Sequence, residues 1–198
     1  FLAEENRYET TGSEYTWIID PLDGTNNFAS GIPVFCSSVA VARSGEVVAG
    51  AIYDVTRNEL FYAARGEGAF LNQRPLKVSP AVNLQESILA TGFFYDRGPN
   101  MRDTLRNIEK FFMANVRGVR RMGAAAIDLA WVAAGRFTGF WEFSLQPWDF
   151  AAGRLLVEEA GGKTSGPKGE DLPLARHFVV ATNRCIHQAV LDILNSGD

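Results

Sequence analysis

The sequence is poor in the residues that build disulfide frameworks and zinc sites. It has two cysteines, Cys36 and Cys185, and two histidines, His177 and His187, among 198 residues. So few cysteines, so far apart, exclude a cysteine-rich zinc site and provide no disulfide framework. Because disulfides belong to oxidising compartments, we expect a cytoplasmic protein. We also expect both histidines at the surface.

The sequence also lacks a strong charge of one sign and any long apolar run. Lys and Arg number 19 against 23 Asp and Glu, which gives a formal net charge of −4. This mild acidity offers no basic footprint for nucleic acid or for an anionic membrane. No stretch reaches the roughly 18 apolar residues that a membrane-spanning helix needs. We therefore expect neither a membrane nor a nucleic acid as a direct partner.

What remains is the composition of an ordinary folded domain. Hydrophobic residues make up 46% and charged residues 21%, which excludes long disorder and collagen-like repeats. The length allows one large domain or two small ones. The sequence begins with Phe1 rather than Met and shows no signal peptide, so we expect the true N-terminus to precede it.

The first half of the sequence is rich in strand-like segments. Residues 15–20 are aromatic and β-branched, and we expect this strand to end in a loop at Pro21. The segments that follow are separated by glycine or polar turns, which is typical of antiparallel sheet. Further strands are predicted over 39–42, 47–53, 60–63 and 69–71.

The second half alternates between strands and helices. Met101, Leu105, Ile108 and Phe112 mark one amphipathic helix. Other helices are predicted over 124–134 and 148–160, with a C-terminal helix capped by Asn183, and strands over 88–91, 116–121, 137–143 and 178–181. This order predicts an α/β (α+β) fold in two layered halves. We place the halves at 1–85 and 86–198, with one composite active site between them.

Several common catalytic motifs are absent. No Gly-x-Ser-x-Gly nucleophile elbow occurs. The segment 161–164 resembles the end of a phosphate-binding loop, but Val157 stands where that motif needs its first glycine. Gly66 and Gly68 lack a third glycine at the dinucleotide-binding spacing, so a hairpin turn is the better interpretation.

Acidic residues carry the clearest chemical signal. Two of them follow an apolar strand in the segment Asp20-Pro21-Leu22-Asp23-Gly24-Thr25. Pro21 bends the chain, so that both carboxylates and the carbonyl of Leu22 can face one point. Oxygen-only ligands of this kind suit a hard cation such as Mg²⁺. Gly24 allows an anion to approach the backbone, and Thr25 can orient a water or open a phosphate-binding helix. The alternative is an Asp-Gly turn with a capping aspartate.

Three further acids have both a structural and a functional interpretation. Glu4 alone is typical of a solvated acidic pair, and Asp149 is typical of the first turn of a helix. Yet Asp149 and Glu142 each lie between aromatic residues, and a desolvated carboxylate is costly without a cation. We expect Glu4, Asp20, Asp23 and Asp149 to converge on divalent cations, because bare carboxylates at that point would repel one another. Such ions can activate a water to hydrolyse a phosphate monoester.

These motifs together resemble the inositol monophosphatase family, most closely its bacterial SuhB-like members. The segment 17–28 is similar to the first signature of that family, and the segment 148–153, continuing to 159–162, is similar to the second. The segment 1–5 resembles its upstream Glu-Glu motif, and 121–126 resembles the start of a helix that often reads Gly-Ser/Thr-Ala-Ala. The resemblance covers essentially the whole chain.

The resemblance implies a fold and a role for each matching residue. The fold is a layered αβαβα sandwich of the inositol monophosphatase/fructose-1,6-bisphosphatase type, with the N-terminal helices missing from this chain. Two or three Mg²⁺ ions would be bound by Glu4, Asp20, Leu22 (through its carbonyl), Asp23 and Asp149. Water would be positioned by Glu4 and Thr25. Substrate would be contacted by Gly24, Thr25, Gly123, Ala124, Ala125 and Glu142.

The implied activity is hydrolysis of inositol monophosphate or a similar small polyol phosphate, by a homodimer that Li⁺ inhibits. Ala124 departs from the family pattern, which often has a hydroxyl there, and this weakens specificity for inositol. Histidinol phosphate, fructose 1,6-bisphosphate and 3′-phosphonucleotides therefore stay open as substrates. A second alternative is a binding partner of the transcription machinery, with or without phosphatase activity.

Overall fold

The computed structural model describes residues 1–4, 12–93 and 97–197, and within them two mixed sheets and five α-helices. The first sheet has seven strands in sequence order, antiparallel except for the parallel pair β1–β2. Its strands are β1 (Leu2–Ala3), β2 (Tyr15–Asp23), β3 (Cys36–Arg43), β4 (Glu46–Asp54), β5 (Glu59–Ala64), β6 (Gly68–Leu71) and β7 (Arg74–Pro75). The predicted antiparallel meander is confirmed.

The expected end of the second strand at Pro21 is wrong, because β2 continues to Asp23. The register of β2 against β3 shifts between Asp20 and Asp23. On its other side, β1 pairs with β2 only as far as Ile19. Proline lacks a backbone N–H, and strands tolerate it at such an edge or bulge. The irregularity displaces the Asp20–Asp23 segment from regular pairing.

The second sheet has five strands in the order β11-β12-β10-β8-β9. These are β8 (Ile88–Thr91), β9 (Gly118–Arg120), β10 (Gly139–Leu145), β11 (Lys163–Ser165) and β12 (His177–Thr182). Strands β8, β9 and β10 run parallel to their neighbours in that group, and β12 runs antiparallel to β10 and β11.

The helices are α1 (Thr25–Ala29), α2 (Pro99–Met113), α3 (Ala125–Ala133), α4 (Pro147–Glu159) and α5 (His187–Asn195). Four of them match the predicted segments closely. The expected cap of α5 is wrong: the Asn183 side chain accepts from the Ile186 amide in the turn before the helix. Asn183 also donates to two carbonyls of the segment that follows β7.

The layers follow the order sheet, helices, sheet, helices. Helices α3 and α4 are buried almost all round, and they pack with the inner face of the first sheet and one face of the second. A second core lies on the other face of the second sheet, where α2 and α5 contribute Phe111, Val190 and Leu191. The layered α/β sandwich is thus confirmed.

His187 corrects another expectation. It is 3% exposed, and its two ring nitrogens lie 2.9 Å from the hydroxyls of Ser165 and Thr182. Burial, with Lys163 and Arg184 nearby, lowers its pKa to about 4. His187 is therefore a neutral, hydrogen-bonded part of the second core.

None of the helices in the described ranges is both long enough and apolar enough to cross a lipid bilayer.

Candidate active site

One cavity collects the ends of several elements from both sheets. Its volume is about 230 Å³. It lies where β2 ends, where α1, α3 and α4 begin, and beside β10 and the end of β8. Every site residue predicted from the sequence lines it: Glu4, Asp20, Leu22, Asp23, Gly24, Thr25, Gly123, Ala124, Ala125, Glu142 and Asp149.

Strand β1 brings Glu4 beside Asp20. The amide of Glu4 donates to the carbonyl of Ile19 at 3.3 Å, so the chain passes directly along β2. Asp20 is 1% exposed and accepts a 2.9 Å hydrogen bond from the Leu22 amide. Burial, the nearby charges of Asp23 and Glu4 and a hydrogen bond with Glu4 raise the pKa of Asp20 to about 9. The other acid of the Glu-Glu motif, Glu5, lies outside the described residues.

Asp23 joins the first sheet to the first turn of α3. Its carboxylate accepts a 2.7 Å hydrogen bond from the Ala126 amide. Burial raises the pKa of Asp23 to about 6, with a further contribution from Glu4, although backbone hydrogen bonds from Ala126 and Ala125 oppose that rise. The thiol of Cys36 lies 3.8 Å away, and its burial next to Asp23 raises its own pKa well above the usual value.

The turn after Asp23 is shaped by close packing. Gly24 has φ of 89°, and a side chain there would lie 2.9 Å from the carbonyl of Val34. Thr25 begins α1. Two residues later, the buried Asn27 amide donates to the carbonyls of Val34 and Met122, at 2.7 and 2.9 Å. These bonds hold the turn against the segment that leads into α3.

Asp149 is both a helix cap and a cavity residue. Its carboxylate accepts a 2.7 Å hydrogen bond from the Gln146 amide, and Gln146 completes a capping box at the start of α4. The capping role weighed from the sequence is therefore present. Even so, burial and the charges of Asp23 and Glu4 raise the pKa of Asp149 to about 7.

Glu142 lies across the cavity, on β10. Burial and the charges of Asp149 and Asp23 raise its pKa to about 8, and Arg121 opposes this. The backbone of Gly123, with φ of 91°, approaches both Arg121 and Asn27 too closely for a side chain. Glu142 and the segment 123–125 both line the cavity, and Ala124 packs directly against Gly24, 3.2 Å from a Cβ built there.

The donor set fits a hard divalent cation. Four carboxylates and the Leu22 peptide face one cavity, and oxygen is the donor that Mg²⁺ prefers. Among the described residues no salt bridge involves these carboxylates. The raised pKa values of the three aspartates, Asp20, Asp23 and Asp149, express burial and repulsion between neighbouring acids, which a bound cation would relieve. Within residues 1–4, 12–93 and 97–197, no three Asp, Glu, His or Cys side chains are close enough to form a ready ligand cluster, so the four carboxylates share the cavity without meeting at a single point.

Sequence reasoning missed several neighbours of this site. Asp128, on α3, is 1% exposed, and its Oδ1 has no hydrogen-bond partner in the described structure. Burial and the nearby Glu142 raise its pKa well above the usual value. A single acid in an otherwise apolar helix is the signal that would have found it. Gly92 and Phe93 line the cavity after β8, and nothing in their local sequence indicates this.

Comparison with known proteins assigns the chain to a family. The model of the inositol monophosphatase family matches residues 1–196. The fold, the carboxylate cavity and this match agree, and the chain belongs to the inositol monophosphatase family. The family consists of metal-dependent phosphatases.

Individual relatives agree with the assignment. An inositol-1-monophosphatase of Mesorhizobium japonicum is 47% identical over 195 residues, which cover 96% of this chain and 72% of that protein. A Nus factor SuhB of Pseudomonas aeruginosa is 45% identical over 181 residues, covering 91% of this chain and 67% of that protein. The crystal structure of an extragenic suppressor protein SuhB from Bartonella henselae matches with a TM-score of 0.93 at 42% identity, covering 100% of this chain and 76% of that one.

Proposed function

We propose that this protein is an Mg²⁺-dependent phosphomonoesterase that hydrolyses inositol monophosphate or a similar small polyol phosphate. The observation that carries the proposal is the convergence of Glu4, Asp20, Asp23 and Asp149 on one cavity, next to the Gly24–Thr25 turn. Their pKa values of about 9, 6 and 7 at the three aspartates are those of carboxylates that lack a counter-charge.

In this proposal the four carboxylates and the carbonyl of Leu22 hold two or three Mg²⁺ ions. When bound, the ions supply Lewis acidity and lower the pKa of a water. Glu4 and the hydroxyl of Thr25 orient the attacking water. The amides of Gly24 and Thr25, which line the cavity at the start of α1, donate to the phosphate oxygens.

The polyol part of the substrate would lie beside this turn, against Glu142 and the segment 123–125. Glu142 accepts hydrogen bonds from substrate hydroxyls, and the backbone at Gly123, Ala124 and Ala125 provides a close surface for the ring. Ala124 presents a methyl group, so its position adds no hydroxyl-directed contact. The pocket therefore favours a small polyhydroxylated phosphate without fixing which one.

The first experiment is phosphate release from inositol 1-phosphate with and without Mg²⁺, followed by a Li⁺ titration. We expect turnover that requires Mg²⁺ and that Li⁺ inhibits. Histidinol phosphate, fructose 1,6-bisphosphate and a 3′-phosphonucleotide form the comparison set. Faster turnover of one of these would change the substrate, whereas no turnover of any of them would overturn the proposal.

A second role is favoured by the relatives named Nus factor SuhB, from Pseudomonas aeruginosa and Escherichia coli. For this chain we propose contact with the transcription machinery in addition to catalysis. A pull-down with wild type and with Asp149→Asn tests it. Equal recovery of RNA polymerase by both supports a role independent of the active site, and no recovery by either removes it.

Two further properties belong to the same proposal. We propose a homodimer, which analytical ultracentrifugation tests directly. We also propose a cytoplasmic location, supported by the two cysteines, since Cys36 is buried, Cys185 is exposed and both are free.

A further inference from the structure

The carboxylate of Glu142 occupies space that exists because residue 92 has no side chain. A Cβ built on Gly92 would lie 2.0 to 2.2 Å from three atoms of that carboxylate, Oε2, Cδ and Oε1. Ordinary van der Waals contact begins near 3.4 Å. Any side chain at position 92 must therefore displace the carboxylate by more than about 1 Å.

The two backbones involved are held at a fixed separation. Strands β8 and β10 pair in parallel, with Thr91 opposite Trp141, so Gly92 follows directly beside Glu142. The hydroxyl of Thr91 donates to the carbonyl of Trp141 at 2.7 Å in the buried interior. Because the main chains are tied in this way, the flexible end of Glu142 is the part that would yield.

The glycine is required for space and not for backbone conformation. Gly92 has no left-handed φ, unlike Gly24 and Gly123. Alanine would thus adopt the local backbone without strain. The consequence of Gly92→Ala should fall on Glu142, with little effect on folding.

We infer that Gly92 is a positioning residue that sets where the Glu142 carboxylate meets the substrate, and so determines which polyols are accepted. The inference rests on the proposed function, in which Glu142 binds substrate hydroxyls. The cavity walls leave the carboxylate few other places, because Asp149, Asp23 and Asp128 face it as like charges. A displaced carboxylate would no longer match the same hydroxyl pair.

The test compares Gly92→Ala with the matched variant Gly118→Ala. At Gly118, in β9 and away from the cavity, an added Cβ also meets the flexible end of a charged side chain, the Arg120 guanidinium at 2.8 Å. The quantity compared is the specificity ratio, which is kcat/KM for inositol 1-phosphate divided by kcat/KM for p-nitrophenyl phosphate. We expect Gly92→Ala to lower this ratio by 10- to 100-fold, mainly through a higher KM for inositol 1-phosphate. Gly118→Ala should leave that ratio at the wild-type value.

A double-mutant cycle separates positioning from general structure. In a Glu142→Ala background, Gly92→Ala should cause no further loss, because the side chain it displaces is gone. The same loss in both backgrounds would overturn the inference, as would an unchanged ratio in the single variant.

A crystal structure of Gly92→Ala supplies a readout that does not depend on turnover. We expect the Glu142 carboxylate to be displaced with the β8 and β10 backbones in place. An unmoved carboxylate overturns the inference even where the enzyme is fully active. Absence of turnover in wild type refutes the proposed function instead, and the displacement still decides the inference.

Discussion

Two clusters of partly buried charge in this molecule are balanced in different ways. In the Glu158 cluster, the Glu158 carboxylate accepts hydrogen bonds from Arg65, Arg154 and Thr164 at 2.8, 2.8 and 2.6 Å. Although burial alone would raise the pKa of Glu158, these hydrogen bonds lower it below the usual value. The cluster joins α4 to both sheets, and its charges are matched within the protein.

The second cluster, the site carboxylates Glu4, Asp20, Asp23 and Asp149, has the opposite balance. Its aspartates are stabilised by one or two backbone amides each and by no ion pair in the described structure. The comparison teaches that burial of acids is not itself a sign of function. An acid whose partners are all internal is structural, whereas acids left with raised pKa values point to a partner from outside.

The largest expected effect comes from neutralising one site carboxylate. Asp20→Asn should lower kcat/KM by at least about 10³-fold, or about 4 kcal/mol of transition-state stabilisation, because a cation ligand is lost. Stability without added metal should not fall, since repulsion is relieved. Phosphate release and urea unfolding measure the two effects.

The control for Asp20→Asn is Asp54→Asn. Asp54 is equally buried but is paired with Arg57 at 2.9 Å, and it does not line the cavity. It should lose stability and keep its turnover. Unchanged turnover in Asp20→Asn would contradict both the distinction between structural and functional acids and the metal mechanism.

Removal of the paired acid should affect stability instead. Glu158→Ala removes the carboxylate that pairs with Arg154 and leaves Arg65 paired with the exposed Glu46. We expect the free energy of unfolding to fall by about 3 kcal/mol. Urea unfolding measures this, with kcat/KM staying within about threefold of wild type. Glu159→Gln, which keeps one of the two oxygens that accept from the Gly66 and Gly68 amides, is the milder control. A large catalytic loss in Glu158→Ala would contradict the division into structural and functional acids.

His187 is another buried group whose hydrogen-bond partners lie within the protein, but it is neutral. The unfolded chain takes up a proton near the ordinary pKa of 6.5, whereas folded His187 resists protonation until about pH 4. The free energy of unfolding should therefore fall by on the order of 2 kcal/mol as the pH drops from 6.5 to 4. His187→Gln should lack this component.

Urea unfolding across that pH range gives the free energy of unfolding of wild type and of His187→Gln. Subtracting one from the other removes the contribution of the site carboxylates, which both proteins share. Asp20, Asp23 and Asp149 have raised pKa values, so their effect on stability has the opposite sign. Parallel curves for the two proteins would contradict the assignment of a neutral buried histidine.

Metal addition gives the smallest effect. Mg²⁺ at ten times its Kd should stabilise wild type by about 1.4 kcal/mol, seen as a rise in Tm. Glu158→Ala should keep that increment and Asp23→Asn should lose it, with NaCl at matched ionic strength as the reference. A Tm rise that survives in Asp23→Asn would place the ion elsewhere.

Much of the fold follows from local patterns. Strand β8 was predicted at its observed bounds, and α3 and α4 within a residue or two, because apolar runs, Pro147 and the glycine at 161 mark their limits. The extension of β2 past Pro21 was missed, since tolerance of proline there depends on where β1 stops pairing. The burial of His187 was missed because its partners, Ser165 and Thr182, lie on β11 and β12, and their packing against α5 is not visible in the local sequence.

The site was predictable where an acidic side chain lies in a recognisable local pattern. Asp20 and Asp23 flank a proline after an apolar strand, and Asp149 follows Pro147 and Trp148. Gly92 carries no such group, and its importance arises only from the pairing of β8 with β10. Asp128 is visible in the sequence as the one acid of an apolar helix. Its nearness to Glu142 is not visible there, because it depends on how α3 packs against β10.

The hydrogen bond from the Ala126 amide to Asp23 has an evolutionary consequence. It fixes a residue encoded early in the gene to a helix encoded more than a hundred residues later, and α4, also encoded late, packs on the first sheet. Recombination between diverged homologues near the middle of the gene would separate parts that were selected together. Chimeras made at that point should lose function more often than those made within one surface loop, so the two gene segments are expected to be inherited as a unit.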